Sequence, residues 1–254
     1  MHCHLDGYTY GNLQEMLQRV RTAGVEKLIA VGFDLKSSDF SRIVAEEFDF
    51  VYFAAGFHPT ELKSYREGDL KEIEKLCRHE KCVALGEIGL DYHYPETDRD
   101  LQHKFFIKQL EMASELCLPV QIHSRDCAED MLEILTLNRH LLSHGALLHC
   151  YSHSMETALE LQKLGVYFSF GGTSTYSGSK KAKRTIAALQ ADRLLTETDS
   201  PYLPPKSKYG VFPNTPESIP EIALNMADIR GVTAEEMCET VFNTAHTLFK
   251  KLNN

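Results

Sequence analysis

The chain has 254 residues, 43% hydrophobic and 25% charged, with 15 Gly, 9 Pro and no Trp, proportions that exclude a disordered or collagen-like protein. Its 27 Lys and Arg against 36 Asp and Glu leave a net charge of −9. That balance excludes a broad basic coating for nucleic acid, but not a local phosphate contact made through bound cations.

In chain order, amphipathic spacing over 12–23 predicts a first helix, followed by short apolar, β-branched runs at 27–32 and 51–57. Helical spacing over 70–78 precedes a run at 82–89. The pattern then alternates: helix 98–116, strand 118–123, helix 127–141, strand 146–150, helix 155–164, strand 166–170, helix 180–189 and strand 194–198. Ser154 is placed to cap the helix that begins at Met155, and Gly165 to close it. Runs such as Val83-Ala84-Leu85 are apolar on both faces, as strands buried beneath helices must be. Strands recur at roughly the length of a βα unit. No G-x-G-x-x-G or P-loop opens a helix, which disfavours an open nucleotide-binding sheet. The expected fold is therefore a single α/β domain over 1–254, a (β/α)8 TIM-like barrel whose remaining strand lies around His2. A Pro-rich loop from Ser200 to Pro213 leads to two last helices, at 217–229 and 234–252, expected to cover the barrel.

Seven cysteines without any Cys-x-x-Cys predict reduced thiols, a cytoplasmic location and no cysteine metal cage. The start, Met1-His2-Cys3-His4-Leu5-Asp6, has no basic or apolar leader, and no run of about 18 apolar residues occurs. Neither export nor a membrane span is expected.

Chemistry-bearing side chains fall where the strands end: His2, His4, His58, Glu87, His123, His149 and Asp199. The C-terminal strand ends of a barrel converge on one mouth, so residues distant in sequence become neighbours there. His2 and His4, two apart on a strand, project to one side, with Cys3 on the other. One such histidine is more often a satisfied or surface residue, but so many together are hard to dismiss. Glu87 is placed to bridge two cations, with His123 and His149 as nitrogen ligands and Asp199 as a hard oxygen. The mix suits two divalent ions, Zn²⁺, Mn²⁺ or Mg²⁺, and hydrolysis of phosphate esters. His93, His103, His140, His144, His153 and His246 are read as surface or loop residues.

The same residues resemble the TatD-like metal-dependent hydrolases of the amidohydrolase superfamily over nearly the whole chain. The resemblance rests on His2-Cys3-His4-Leu5-Asp6, Gly56-Phe57-His58-Pro59, Gly86-Glu87-Ile88-Gly89-Leu90-Asp91-Tyr92, Gln121-Ile122-His123-Ser124-Arg125, His149-Cys150-Tyr151-Ser152 and Glu197-Thr198-Asp199-Ser200-Pro201. It implies a (β/α) barrel with His2, His4, Glu87 and Asp199 around one cation and Glu87, His123 and His149 around another. Members are described as metal-dependent deoxyribonucleases. The chain departs from the pattern at His153, where the family often has Gly, and at Phe212-Pro213-Asn214-Thr215-Pro216, which lacks the usual preceding Arg. Met1 directly precedes His2, where the family has several apolar residues, so either the start is shortened or the true start lies upstream; a first strand this short would leave His2 without hydrogen-bonded backbone and weaken the first cation site.

The expected activity is cleavage of phosphodiester bonds by cation-activated water, acting from DNA ends. Glu87 and Asp199 are the catalytic carboxylates, Asp199 accepting the proton, while His58 and Arg125 grip phosphate oxygens. For Arg125 an ion pair with Asp126 or Glu129 is an equal alternative. The expected partner is DNA, single-stranded or frayed and contacted over a few phosphates, with no membrane partner. Two other readings compete. One is carboxylic ester or amide hydrolysis, as by an aminoacyl-tRNA deacylase, although many amide-cleaving relatives use a modified lysine where this chain has Glu87. The other is a non-catalytic, metal-stabilised binding protein.

Overall fold

The computed structural model describes residues 2–5 and 11–253. Its elements are α1 (Leu13–Thr22), β1 (Leu28–Val31), α2 (Leu35–Glu47), β2 (Val51–Ala55), α3 (Asp69–Cys77), β3 (Cys82–Asp91), α4 (Arg99–Glu115), β4 (Val120–Arg125), α5 (Ala128–Leu137), β5 (Ala146–Leu148), α6 (Met155–Lys163), β6 (Tyr167–Phe170), α7 (Lys180–Ala188), β7 (Leu194–Thr196), α8 (Ile219–Arg230) and α9 (Ala234–Leu248). The strands form one parallel sheet in the order β1 to β7. Short connections through helices produce this order, because parallel neighbours require a crossover.

The segment around His2 takes the eighth position. Cys3 forms parallel bridges to Ala30 of β1 and to Ser200 beyond β7. Val31 N–H donates to Cys3 O at 2.8 Å, and His4 N–H donates to Ser200 O at 2.8 Å. On the same side Asp199 N–H donates to His2 O at 3.1 Å. These bonds correct the expectation that His2 lacks backbone support: three residues suffice because both barrel edges hold them.

Barrel interior and outer shell form separate cores. Ile29, Val31, Tyr52, Ala54, Val83, Leu147 and Leu195 point inward and pack with Ala245, Leu248, Phe249 and Leu252. The last helix and the turn after it therefore plug the N-terminal end and leave the opposite mouth for chemistry. Alternate residues, among them Leu28, Ala30, Phe53 and Ala55, face the helices.

Several boundaries differ from the sequence reading. The helix expected over 127–141 ends at Leu137, with a separate 3₁₀ turn at Arg139–Leu142, and that expected over 234–252 ends at Leu248 before a 3₁₀ turn at Lys250–Asn253. The pattern missed α2 altogether. Its buried face includes Ser38 and Ser41 beside Val44 and Ala45, so no apolar stripe marks it. A capping box between Asp34 and Ser37 starts it instead.

Between Leu85 and Ile88 of β3 the partner strand advances from Val120 to only Ile122, so β3 carries one extra residue there. The irregularity re-aims the chain at Glu87. Gly89 makes the close approach possible. Its φ is +139°, and a Cβ on it would lie 2.0 Å from His123 O. Gly89→Ala is expected to cost about 3 kcal/mol or more in urea denaturation. A loss under about 1 kcal/mol would show that β4 yields.

Candidate active site at the barrel mouth

His2, His4, Glu87, His123, His149 and Asp199 meet at the C-terminal ends of the strands. Nε2 of His2 and Nε2 of His4 are 3.4 Å apart. Both face Glu87 Oε2, at 3.4 and 3.5 Å, and Asp199 Oδ1, at 3.7 and 3.6 Å. The other carboxylate oxygen of Glu87 faces a second group, with His149 Nε2 at 2.7 Å, His123 Nδ1 at 3.0 Å and His58 Nε2 at 3.4 Å. His2 and His149 stack across the divide with ring centroids 3.9 Å apart.

Oxygen atoms behind the rings fix which nitrogen faces inward. His2 Nδ1 lies 3.0 Å from Gln121 Oε1, and His4 Nδ1 lies 2.9 Å from Val31 O. His123 Nε2 is 2.9 Å from Asp91 Oδ2, and His149 Nδ1 is 3.7 Å from Glu197 Oε2. At His2, His4 and His123 the partner atom accepts, so the outward nitrogen carries the proton and the inward nitrogen presents a lone pair. At His149 the Glu197 carboxylate lies beyond hydrogen-bond reach, and its charge favours the proton on Nδ1. His58 is the exception. Thr60 N–H donates to its Nδ1 at 3.2 Å, so its neutral ring carries the proton on Nε2. Burial chiefly keeps that ring neutral, lowering its pKa.

Four lone pairs and two carboxylates fit divalent cations. Ligands about 2.1 Å from a tetrahedral centre lie about 3.4 Å from one another, and the first group spans 3.4 to 3.7 Å. Without a cation, protons take that place. Burial opposes a charge on His4, but the Asp199 hydrogen bond and the Glu87 carboxylate push it up to about 9. His149, buried too, is raised well above the usual imidazole range by Glu87 and Glu197. Burial works against the ionised form of Glu87 as well, yet His149, His58 and His2 hold it well below the carboxylate range.

Asp91, Gln121 and Glu197 are functional neighbours that the sequence reading did not single out. Alternation carried the signal for two of them: Asp91 follows Glu87 by four residues, and Glu197 precedes Asp199 by two, both same-face spacings on a strand. Ser169 Oγ donates to Glu197 Oε2 at 2.5 Å and anchors it. Arg125, also on β4, is exposed and makes no ion pair among the described residues, neither with Asp126 nor with Glu129. His153, expected on the surface, is half-buried, with its Nε2 2.7 Å from Ser124 Oγ. His103 lies on α4 rather than in a loop and pairs with Asp130 at 3.2 Å. All seven cysteines are free, and none joins a candidate metal group among the described residues. No helix among those residues is long and apolar enough to cross a membrane.

A histidine and carboxylate cluster that could hold divalent ions, set in the mouth of a (β/α) barrel, defines a metal-dependent hydrolase. A family model described as TatD related DNase matches residues 1–250, and the chain belongs to that family. It is 37% identical over 250 residues to the metal-dependent hydrolase YabD of Bacillus subtilis, covering 98% of this chain and 97% of the relative. With YcfH of Escherichia coli K12, also described only as a metal-dependent hydrolase, identity is 35% over 252 residues, covering 98% and 94%. The crystal structure of the TatD homologue YjjV from Escherichia coli superposes with a TM-score of 0.93 at 30% identity, covering 98% and 96%. An organophosphorus hydrolase from Deinococcus radiodurans, at 15% identity and a TM-score of 0.63 over 93% and 82%, shares the fold alone.

Proposed function

We propose that the protein hydrolyses phosphodiester bonds of DNA at a two-cation centre, acting at strand ends. The observation that carries this reading is the division of Glu87: one oxygen faces His2, His4 and Asp199, the other His58, His123 and His149. A carboxylate shared in this way suits paired ions, and paired ions suit phosphoryl transfer. Bound divalent cations supply Lewis acidity and lower the pKa of water from 15.7 to about 7.

The chain's own residues do the rest. His2, His4, Glu87 and Asp199 form one set of ligands, and Glu87, His123 and His149 the other. Asp199 orients the attacking water and accepts its proton, being the more accessible carboxylate, with its side chain 18% exposed against 4% for Glu87. His58 Nε2–H donates to a phosphate oxygen, a role open to a ring that offers a proton rather than a lone pair. Arg125 supplies a second contact from its exposed place on β4. Water adds to phosphorus, the P–O bond to the leaving oxygen breaks, that oxygen takes up a proton from solvent, and a phosphomonoester and an alcohol result.

The test is a panel of single- and double-stranded DNA, RNA, a chromogenic phosphodiester and an aminoacyl ester, each with Zn²⁺, Mn²⁺ or Mg²⁺. Phosphodiester turnover is expected. Turnover confined to the aminoacyl ester would replace the reading, and metal binding without any turnover would leave a binding protein.

Asp91 is a positioning residue here, because it fixes the tautomer of His123. Asp91→Asn is expected to weaken metal binding about 10- to 100-fold, read by competition with a chromogenic chelator, while the thermal midpoint of the metal-free protein stays within a few degrees. Unchanged affinity would remove His123 from the ligand set.

A further inference from the structure

We propose that the loop after β7 is a stacking platform that holds the bases of a single strand leading into the mouth, an inference that rests on the phosphodiester reading. Five of the eleven exposed large hydrophobic residues among the described residues lie between positions 202 and 212. Tyr202, Tyr209 and Phe212 are 58%, 77% and 66% exposed. A soluble surface does not gather aromatic rings in this way without a use for them.

The loop is held in place. Asn214, itself buried, donates through Nδ2 to Thr198 O at 3.1 Å and to Tyr202 O at 2.8 Å. Tyr176 Oη donates to Pro204 O at 2.7 Å, and Lys206 N–H donates to Thr175 Oγ1 at 2.8 Å. These bonds tie the platform to the loop after β6. Tyr202 also follows Asp199 by three residues, its N–H donating to Asp199 O at 3.0 Å. The platform therefore starts beside the carboxylate assigned as base.

Charge separates nucleic acid from other aromatic-seeking partners. Across 171–190 and 200–213 the chain has six Lys and Arg and no Asp or Glu, although its net charge is −9. Among the described residues Lys180, Lys181, Lys183, Lys206 and Lys208 make no ion pair. Lysines without carboxylate partners, on two tied segments that also carry exposed rings, match a strand with phosphates on one edge and π faces on the other. A duplex hides its base faces, so the platform selects unpaired ends.

The experiment measures anisotropy of a short dye-labelled single strand and of a duplex of equal length, with Ca²⁺-loaded protein. The single strand is expected to bind more tightly. The combined Tyr202→Ala, Tyr209→Ala and Phe212→Ala variant is expected to bind it at least about tenfold more weakly, whereas Tyr202→Phe with Tyr209→Phe keeps wild-type affinity. Replacing Lys206 and Lys208 by Ser is expected to flatten the salt slope by about 0.7 per lost phosphate contact. Wild-type affinity in the alanine variant, an equal loss in the phenylalanine variant, or a preference for duplex would overturn the platform. Wild-type protein that cleaves no phosphodiester with any of the three cations would instead overturn the phosphodiester reading, and the anisotropy would still decide the platform.

Discussion

Replacing Glu87 with alanine is expected to empty both ligand groups at once and to lower turnover by far more than the about 10- to 100-fold that loss of one outer partner costs. Among the described residues no other carboxylate lies within 4 Å of imidazole nitrogens of both groups: Oε2 meets His2 and His4, Oε1 meets His123, His149 and His58. The imidazoles left behind also hold one another apart electrostatically. His2 is lowered first by burial and then by His149, its stacked neighbour, with Glu87 as the opposing charge. Without that carboxylate a cation would enter a ring of nitrogens with Asp199 facing it and the charges of Asp91 and Glu197 set behind the rings. Elemental analysis of the purified variant, with circular dichroism to confirm folding, decides the matter. Metal content near the wild-type level would show that Glu87 bridges nothing, and the two-cation reading would fall with it.

The strand that carries Glu87 was legible because a carboxylate in Val83-Ala84-Leu85-Gly86-Glu87 interrupts a run apolar on both faces, and burying it demands partners. Strand-end histidines stood out for the same reason. The groups behind them did not. Asp91 shares a face with Glu87 by spacing, but its partner His123 emerges only when β3 and β4 are in register; Gln121 is an ordinary polar residue until the segment around His2 closes the barrel, and the partner of His4 is the main-chain carbonyl of Val31, which no side-chain pattern can reveal. The closing segment around Cys3 was too short for a period, and its evidence lies in hydrogen bonds to Val31 and Ser200. Helix α2 escaped because small serines, rather than an apolar stripe, meet the sheet. The Pro-rich stretch after Asp199 was readable as a loop, but not as a braced one. Its rigidity comes from Asn214, whose partners are carbonyl groups brought near by the fold.

Asp199→Asn is expected to lower kcat by about 10²- to 10⁴-fold, the usual worth of a positioned proton acceptor, while the ions of the second group remain. Asparagine is the informative replacement. Asp199 sits at φ +50°, a left-handed conformation that Asp and Asn accept and most side chains resist. The substitution therefore preserves the backbone that presents His2, through Asp199 N–H to His2 O. What changes is charge and basicity. Burial works against ionised Asp199, but the His4 hydrogen bond and the nearby His149 hold its pKa below the usual range, so at neutral pH it is ready to accept a proton. An amide is not. His4, pushed up to about 9 in the cation-free protein with help from Asp199, should titrate lower in the variant, and proton resonances of the imidazole can follow that shift separately from turnover. Full recovery of kcat in excess cation would make Asp199 a ligand only, and a kcat near the wild-type value at ordinary cation levels would remove it from the chemistry.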